Sequence, residues 1–132
     1  MRSILFSPFL LMLSSCALNA EFIPDEGKLN DATVGIPYYN KITILGGHVV
    51  SDYNRVVGDI ITPTGEFVTS YNGIHLQPCD GDVYNSNCIE VRGTPKKTSL
   101  LTIRIIGGVS GGMFSHVAKF DKTYTVEIKA AD

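Results

Sequence analysis

The residues of this 132-residue chain that could carry chemistry are few: His48, His75 and His116, a handful of serines, and the pair Cys79 and Cys88. Nucleophilic catalysis requires a nucleophile, a base and an orienting group in contact. Ser110, Ser115 and His116 lie in or beside a glycine-rich stretch, yet no nucleophile-elbow pattern surrounds them. The run Gly107-Gly108-Val109-Ser110-Gly111-Gly112 lacks the Lys-Ser/Thr ending of a phosphate-binding loop. His75 alternates with Ile74 and Leu76, which points it to solvent or an interface. No catalytic residue is assigned, and the chain reads as non-enzymatic.

Cys79 and Cys88 enclose Asp80-Gly81-Asp82-Val83-Tyr84-Asn85-Ser86-Asn87, a polar segment rich in turn formers. They are expected to form a disulfide, which implies an oxidising compartment. Their spacing is too wide for the Cys-x₂-Cys of a structural zinc knuckle, and no nearby histidine completes a set. Asp80 and Asp82 could contact calcium, but the remaining ligands of an EF-hand loop are absent. A solvated turn is the favoured reading, with no metal and no other cofactor expected.

The third cysteine belongs to different chemistry. Residues 1–15, MRSILFSPFLLMLSS, join a short positive start at Arg2 to an apolar core over Ile4–Leu13. A spanning helix needs about twenty apolar residues, so this run fits a secretory signal rather than a permanent span. Leu13-Ser14-Ser15-Cys16 resembles a bacterial lipobox, in which a cysteine receives diacylglyceryl before cleavage. That resemblance implies a mature chain beginning at Cys16, with a thioether-linked lipid and an acylated amine. Several acyl chains make a stable anchor where one alone is marginal. Ala17, rather than Asp, follows the cysteine, which in the enterobacterial sorting pattern implies the outer membrane. Ordinary secretion, with cleavage after Ala17 or Ala20, is the alternative.

The remainder suffices for one domain with a real core but hardly two. The formal net charge of −2, and the isolated Lys96-Lys97 pair, argue against a nucleic-acid surface. Residues 16–33 carry Pro24, Gly27, Asn30 and several charges, and are expected to be a lipidated N-terminus and tether. Over 34–130, brief apolar groups are separated by Gly, Pro and Asn. Strands are expected around Tyr39–Ile44, Val56–Ile61, Ile74–Leu76, Ile89–Arg92, Leu100–Ile106 and Thr123–Ile128. Thr102-Ile103-Arg104-Ile105 and Tyr124-Thr125-Val126-Glu127-Ile128 show the two-residue alternation of half-buried strands. Ile103 and Ile105 should share one face opposite Arg104, as should Tyr124, Val126 and Ile128 opposite Glu127. About seven short strands and no long helical period indicate an all-β sandwich.

Several segments carry a more specific likeness. Gly35-Ile36-Pro37-Tyr38-Tyr39, Gly73-Ile74-His75-Leu76 and Ile89-x-Val91-x-Gly93-Thr94-Pro95 occur in order, followed by the two alternating strands. This set resembles bacterial immunoglobulin-type, cadherin-like domains over roughly residues 32–129. Such domains open on Gly-x-Pro-Tyr and end a central strand with Gly-Thr-Pro. The chain departs from them at Ser70-Tyr71-Asn72-Gly73-Ile74, where Leu-Pro-x-Gly-Leu is usual. It departs again at Gly107–Met113, read as an expanded loop in place of a short hairpin turn. The resemblance implies an immunoglobulin-like or cadherin-like sandwich serving structural or adhesive roles, with no shared catalytic constellation.

Together these readings imply a non-catalytic bacterial envelope lipoprotein, held to the membrane by lipid on Cys16, periplasm-facing, and acting as a protein-interaction or structural module. The expected partner is another envelope protein, met by a 107–120 loop bearing Met113 and Phe114, while Phe120 packs beneath. Tyr38, Tyr39, Tyr53, Tyr71 and Tyr84 could line a carbohydrate surface. The alternative is a small envelope inhibitor or immunity lipoprotein that blocks a hydrolase or toxin with the same loop.

Overall fold

The computed structural model describes residues 19–50, 57–79, 87–111 and 117–132. Two-residue alternation becomes strands wherever one side of the chain can be buried. The longest are β10 (Ser99–Ser110) and β11 (Ala118–Lys129), which pair antiparallel from Ser99↔Ile128 to Val109↔Ala118. Their inner residues Leu101, Ile103, Ile105, Val109, Phe120, Tyr124, Val126 and Ile128 are all buried. On the outer face the Arg104 guanidinium forks onto Asp121, at 3.0 Å from Nε and 2.6 Å from Nη2. That hydrogen-bonded partner holds the Asp121 carboxyl below the usual carboxylate range.

Among the described residues, nine shorter strands complete two sheets. They are β1 (Glu21–Ile23), β2 (Ala32–Thr33), β3 (Tyr38–Leu45), β4 (His48–Val49) and β5 (Gly58–Ile61), then β6 (Phe67–Val68), β7 (Ser70–Tyr71), β8 (Ile74–Pro78) and β9 (Cys88–Gly93). The first sheet has the order β1-β3-β9-β8-β7 and the second β2-β11-β10-β5-β6, with β4 added beside β10. All pairs are antiparallel except β2 with β11. Ile42, Ile44, Ile74, Ile89 and Val91 face the core from the first sheet and meet Ile60 and the β10–β11 wall of the second.

In immunoglobulin lettering β1, β3, β9 and β8 are A, B, E and D, while β11, β10 and β5 are G, F and C. The chain is therefore an immunoglobulin-like β-sandwich, all-β as its sequence predicts. It has more strands than the expected seven, because several two-residue edge pieces carry no alternation that a sequence could display.

The described part of the 16–33 segment expected as a tether is instead part of the sandwich. β1 pairs with β3 in the first sheet; the chain then crosses to the second, where Lys28 bridges Thr125 and β2 runs parallel to β11. Leu29 and Ala32 are buried in the core. Two tyrosines fasten the crossing: the Tyr124 hydroxyl donates to the Pro24 carbonyl at 2.6 Å, and the Tyr38 hydroxyl to that of Asn30 at 2.7 Å. Lys129 adds an ion pair to Asp31 at 2.9 Å. The charges and turn formers of this stretch concealed how few apolar side chains an edge strand needs.

The Gly107–Met113 expectation is also corrected in its described part. Gly107 to Ser110 continue β10 instead of forming a loop, and Ala118 to Phe120 already belong to β11. The missing side chain of Gly107 makes room for the Phe120 ring, since a Cβ there would lie 2.9 Å from it. Phe120 packs in the core as expected, edge-on to Phe22 with ring centroids 5.4 Å apart. Glycine here marks close approach within a ladder rather than a turn.

Two outcomes test this packing. Ile105→Asp, which buries an unpaired charge at a fully enclosed site, should lower stability by about 4 kcal/mol or more, read from urea unfolding by circular dichroism. Burial, reinforced by the Asp25 charge, pushes the Tyr124 phenol up to about 12; burial raises Tyr38 as well. The folded chain therefore keeps a proton that the unfolded chain gives up near its ordinary pKa of about 10. The associated stability is intact below that pH and is lost as the pH climbs towards 12. The urea midpoint should fall across this interval, and less steeply in Tyr124→Phe.

Candidate functional site

At each end of the sandwich, an asparagine side chain bonds to backbone among the described residues. At one end, here the Asn19 end, β3 turns back through Gly46 and Gly47, β8 runs into Cys79, and β9 begins at Cys88. Cys79 and Cys88 form the expected disulfide with a Cα–Cα distance of 5.4 Å, just beyond the last ladder pair, Pro78↔Ile89. Asn87 sits beside it. Its Oδ1 accepts from the Val49 N–H at 3.0 Å, while Nδ2 donates to the Ile44 and Gly47 carbonyls at 2.8 and 2.7 Å. One side chain thus satisfies three backbone groups of the β3–β4 turn, a role that the Asn-Ser-Asn run did not disclose.

At the opposite end Asn72 does similar work. Asn72 and Gly73 both have positive φ, 52° and 80°, and join β7 to β8 in a two-residue hairpin of the primed type. Asn72 Oδ1 accepts from the Lys96 and Lys97 N–H groups at 3.2 and 3.0 Å, and Nδ2 donates to the Lys97 carbonyl at 2.8 Å. Gly93, of the Gly-Thr-Pro segment, lies so close to Gly73 that a Cβ would overlap the Gly73 carbonyl. An open cleft of about 470 Å³ is lined here by Pro63, Tyr71, Asn72 and the 96–99 segment. The Asn-Gly pair between apolar strands was the available signal for this hairpin.

Of the residues with catalytic potential, His48 and His75 lie on different sheets. Ser110 stands directly opposite His48 in the β10–β4 register, without a hydrogen bond between their side chains. His116, Ser115, Asp80 and Asp82 fall outside the described residues, as do Cys16, Met113 and Phe114. Among the described residues no group of three His, Cys, Asp or Glu side chains could hold a metal ion.

What the structure does assemble is a polar cluster on the outer face of the first sheet. Strand pairing sets Gln77 opposite Glu90 and His75 opposite Arg92, with Tyr39 opposite Arg92 from the other side. Glu90 is only 3% exposed. Its Oε1 accepts from Gln77 Nε2 at 2.9 Å and from Arg92 Nη1 at 3.4 Å, and its Oε2 from the Tyr39 hydroxyl at 3.1 Å. His75 Nε2 lies 2.8 Å from Gln77 Oε1, extending the chain of contacts. The Arg92 guanidinium sits 5.3 Å from the Tyr39 ring centroid, and that ring is half exposed. A buried carboxylate with three donors is a positioning device: it holds an aromatic ring and a guanidinium as a fixed patch on rigid strands. Alternation alone places these residues outward, but only pairing makes them neighbours. His75 faces outward as expected.

Comparison with known protein families, with characterised proteins and with solved structures finds no match to this chain. The disulfide supplies the local test. Closing a loop of this length should contribute about 2–3 kcal/mol, so Cys79→Ser combined with Cys88→Ser should lower the unfolding free energy by that amount. Equal stability of the two forms in urea would remove the bridge from the account of this end.

Proposed function

We propose that this chain is a non-catalytic bacterial envelope lipoprotein, anchored through Cys16 and acting as a protein-interaction or structural module. The observation that carries the reading is the Cys79–Cys88 disulfide, which is compatible with an extracytoplasmic location. The lipobox-like Leu13-Ser14-Ser15-Cys16 adds the anchor.

The surface supports the interaction role. Tyr39 and Arg92, held by buried Glu90, present an aromatic ring and a guanidinium from strands that need no ordering when a partner arrives. Aromatic and arginine anchors are the residue types on which binding energy concentrates, and pre-ordering them reduces the entropy lost on association.

Fractionation of cells expressing the wild type and Cys16→Ser tests the anchor. The wild type should sediment with membranes and carry lipid mass on a chain beginning at Cys16. Cys16→Ser should be released and lack that mass, whereas two equally soluble, lipid-free forms would overturn the proposal.

A further inference from the structure

Arg92 and Arg104 carry the same fork of donors, and the chain fills one fork but not the other. Arg104 spends Nε and Nη2 on the two carboxylate oxygens of Asp121, at 3.0 and 2.6 Å. Arg92 spends only Nη1, on Glu90 Oε1 at 3.4 Å, while its guanidinium rests 5.3 Å from the Tyr39 ring centroid. Its Nε and Nη2 meet no acceptor among the described residues. The Arg92 side chain is 49% exposed, and with Nη1 and the ring contact already used, this edge is what it offers outward.

The edge is held in place. Glu90 is almost wholly buried, and besides Arg92 it takes Gln77 Nε2 and the Tyr39 hydroxyl, so the guanidinium and the ring beside it are fixed from within the sheet. Charge around it favours an anion. Lys41 stands opposite Glu90 in the β3–β9 register, on the face that carries Tyr39; it is exposed and has no ion pair among the described residues. Two cations thus flank one carboxylate that already has three donors, a local excess of positive charge in a chain of formal net charge −2. A planar guanidinium edge matches a planar carboxylate through two parallel N–H···O bonds. The outer side of a sheet is flat, which suits another protein's surface, whereas small molecules take concave sites.

We propose that the Nε–Nη2 edge of Arg92 receives the side-chain carboxylate of an Asp or Glu on a partner protein, with the Tyr39 ring packing beside it and Lys41 adding longer-range attraction. This rests on the interaction-module reading and names the chemistry of the partner; it is independent of the lipid anchor. The Arg104–Asp121 pair shows the geometry the contact takes, with the acid supplied by the partner instead of the same chain. Because Glu90 orders the guanidinium in advance, little further ordering is lost when the acid arrives.

The test starts from Ser70→p-benzoylphenylalanine, at an exposed position two strands from Arg92, in the full chain expressed in the organism that encodes it. Cross-linking by light, followed by mass spectrometry, identifies the bound protein and the peptide reached. Binding of the purified pair is then measured in a double-mutant cycle between Arg92→Ala and Asp→Asn or Glu→Gln at each acid near that peptide. For one acid, each single change should weaken binding at least about tenfold, and the two together no more than either alone. Arg104→Ala should leave binding unchanged. Circular dichroism confirms folding; if Arg92→Ala does not fold, Arg92→Lys, which keeps the charge but not the fork, must show the same coupling. Unchanged binding in the Arg92 variant, or losses that simply add for every acid, overturns the carboxylate contact while leaving the interaction role intact. An adduct to saccharide or lipid overturns the protein partner. No adduct at Ser70, nor from Lys41→p-benzoylphenylalanine, overturns the proposal and the interaction role together.

Discussion

The pairing of β10 with β11 is the constraint on which the other elements depend. It is a long, uninterrupted ladder, and its inner face forms a continuous apolar wall from Leu101 to Val109 and from Phe120 to Ile128. The first sheet has no comparable hairpin of its own. Its strands β1, β3, β7, β8 and β9 are drawn from both sides of β5 in the chain, and they become a sheet because Ile42, Ile44, Ile74, Ile89 and Val91 need that wall to leave water. Weakening the wall would remove the reason for the opposite sheet to exist.

An open sandwich leaves edges and ends, and the chain closes them with polar chemistry rather than more apolar surface. The N-terminal segment zips first onto β3 and then onto β11, held by hydroxyl groups of Tyr38 and Tyr124 that reach backbone carbonyls from largely buried positions. Asn87 and Asn72 perform equivalent tasks at opposite ends, each meeting backbone donors and acceptors that a turn would otherwise leave unpaired. The Cys79–Cys88 bridge joins β8 to β9 where their ladder runs out. The outer strand faces take no part in this closure. There Glu90 organises Tyr39, Gln77 and Arg92 without contributing to the core.

Much of this architecture was legible in the residue order. Alternation in 102–105 and 124–128 announced which side chains are buried, and the structure places Ile103, Ile105, Tyr124, Val126 and Ile128 inside as expected. The cysteine pairing was likewise readable from its turn-rich loop. What misled was composition taken as conformation. Glycines 107 and 108 suggested a loop, yet they are strand residues whose missing side chains accommodate Phe120 and Val117. The polar character of residues 16–33 suggested a tether, yet Leu29 and Ala32 are enough to seat its described part on the core.

The sequence by itself determined the class of fold, the buried face of each long strand and the identity of the bridged cysteines, because these follow from local periodicity and from turn chemistry within short spans. Tertiary structure alone decided which strands are neighbours. The Glu90 cluster joins three strands, with Glu90 and its Tyr39 partner 51 positions apart, and no local pattern encodes that meeting. The same holds for the route of the chain through β2, whose partner β11 lies about a hundred residues downstream and is selected only when both sheets close over one core.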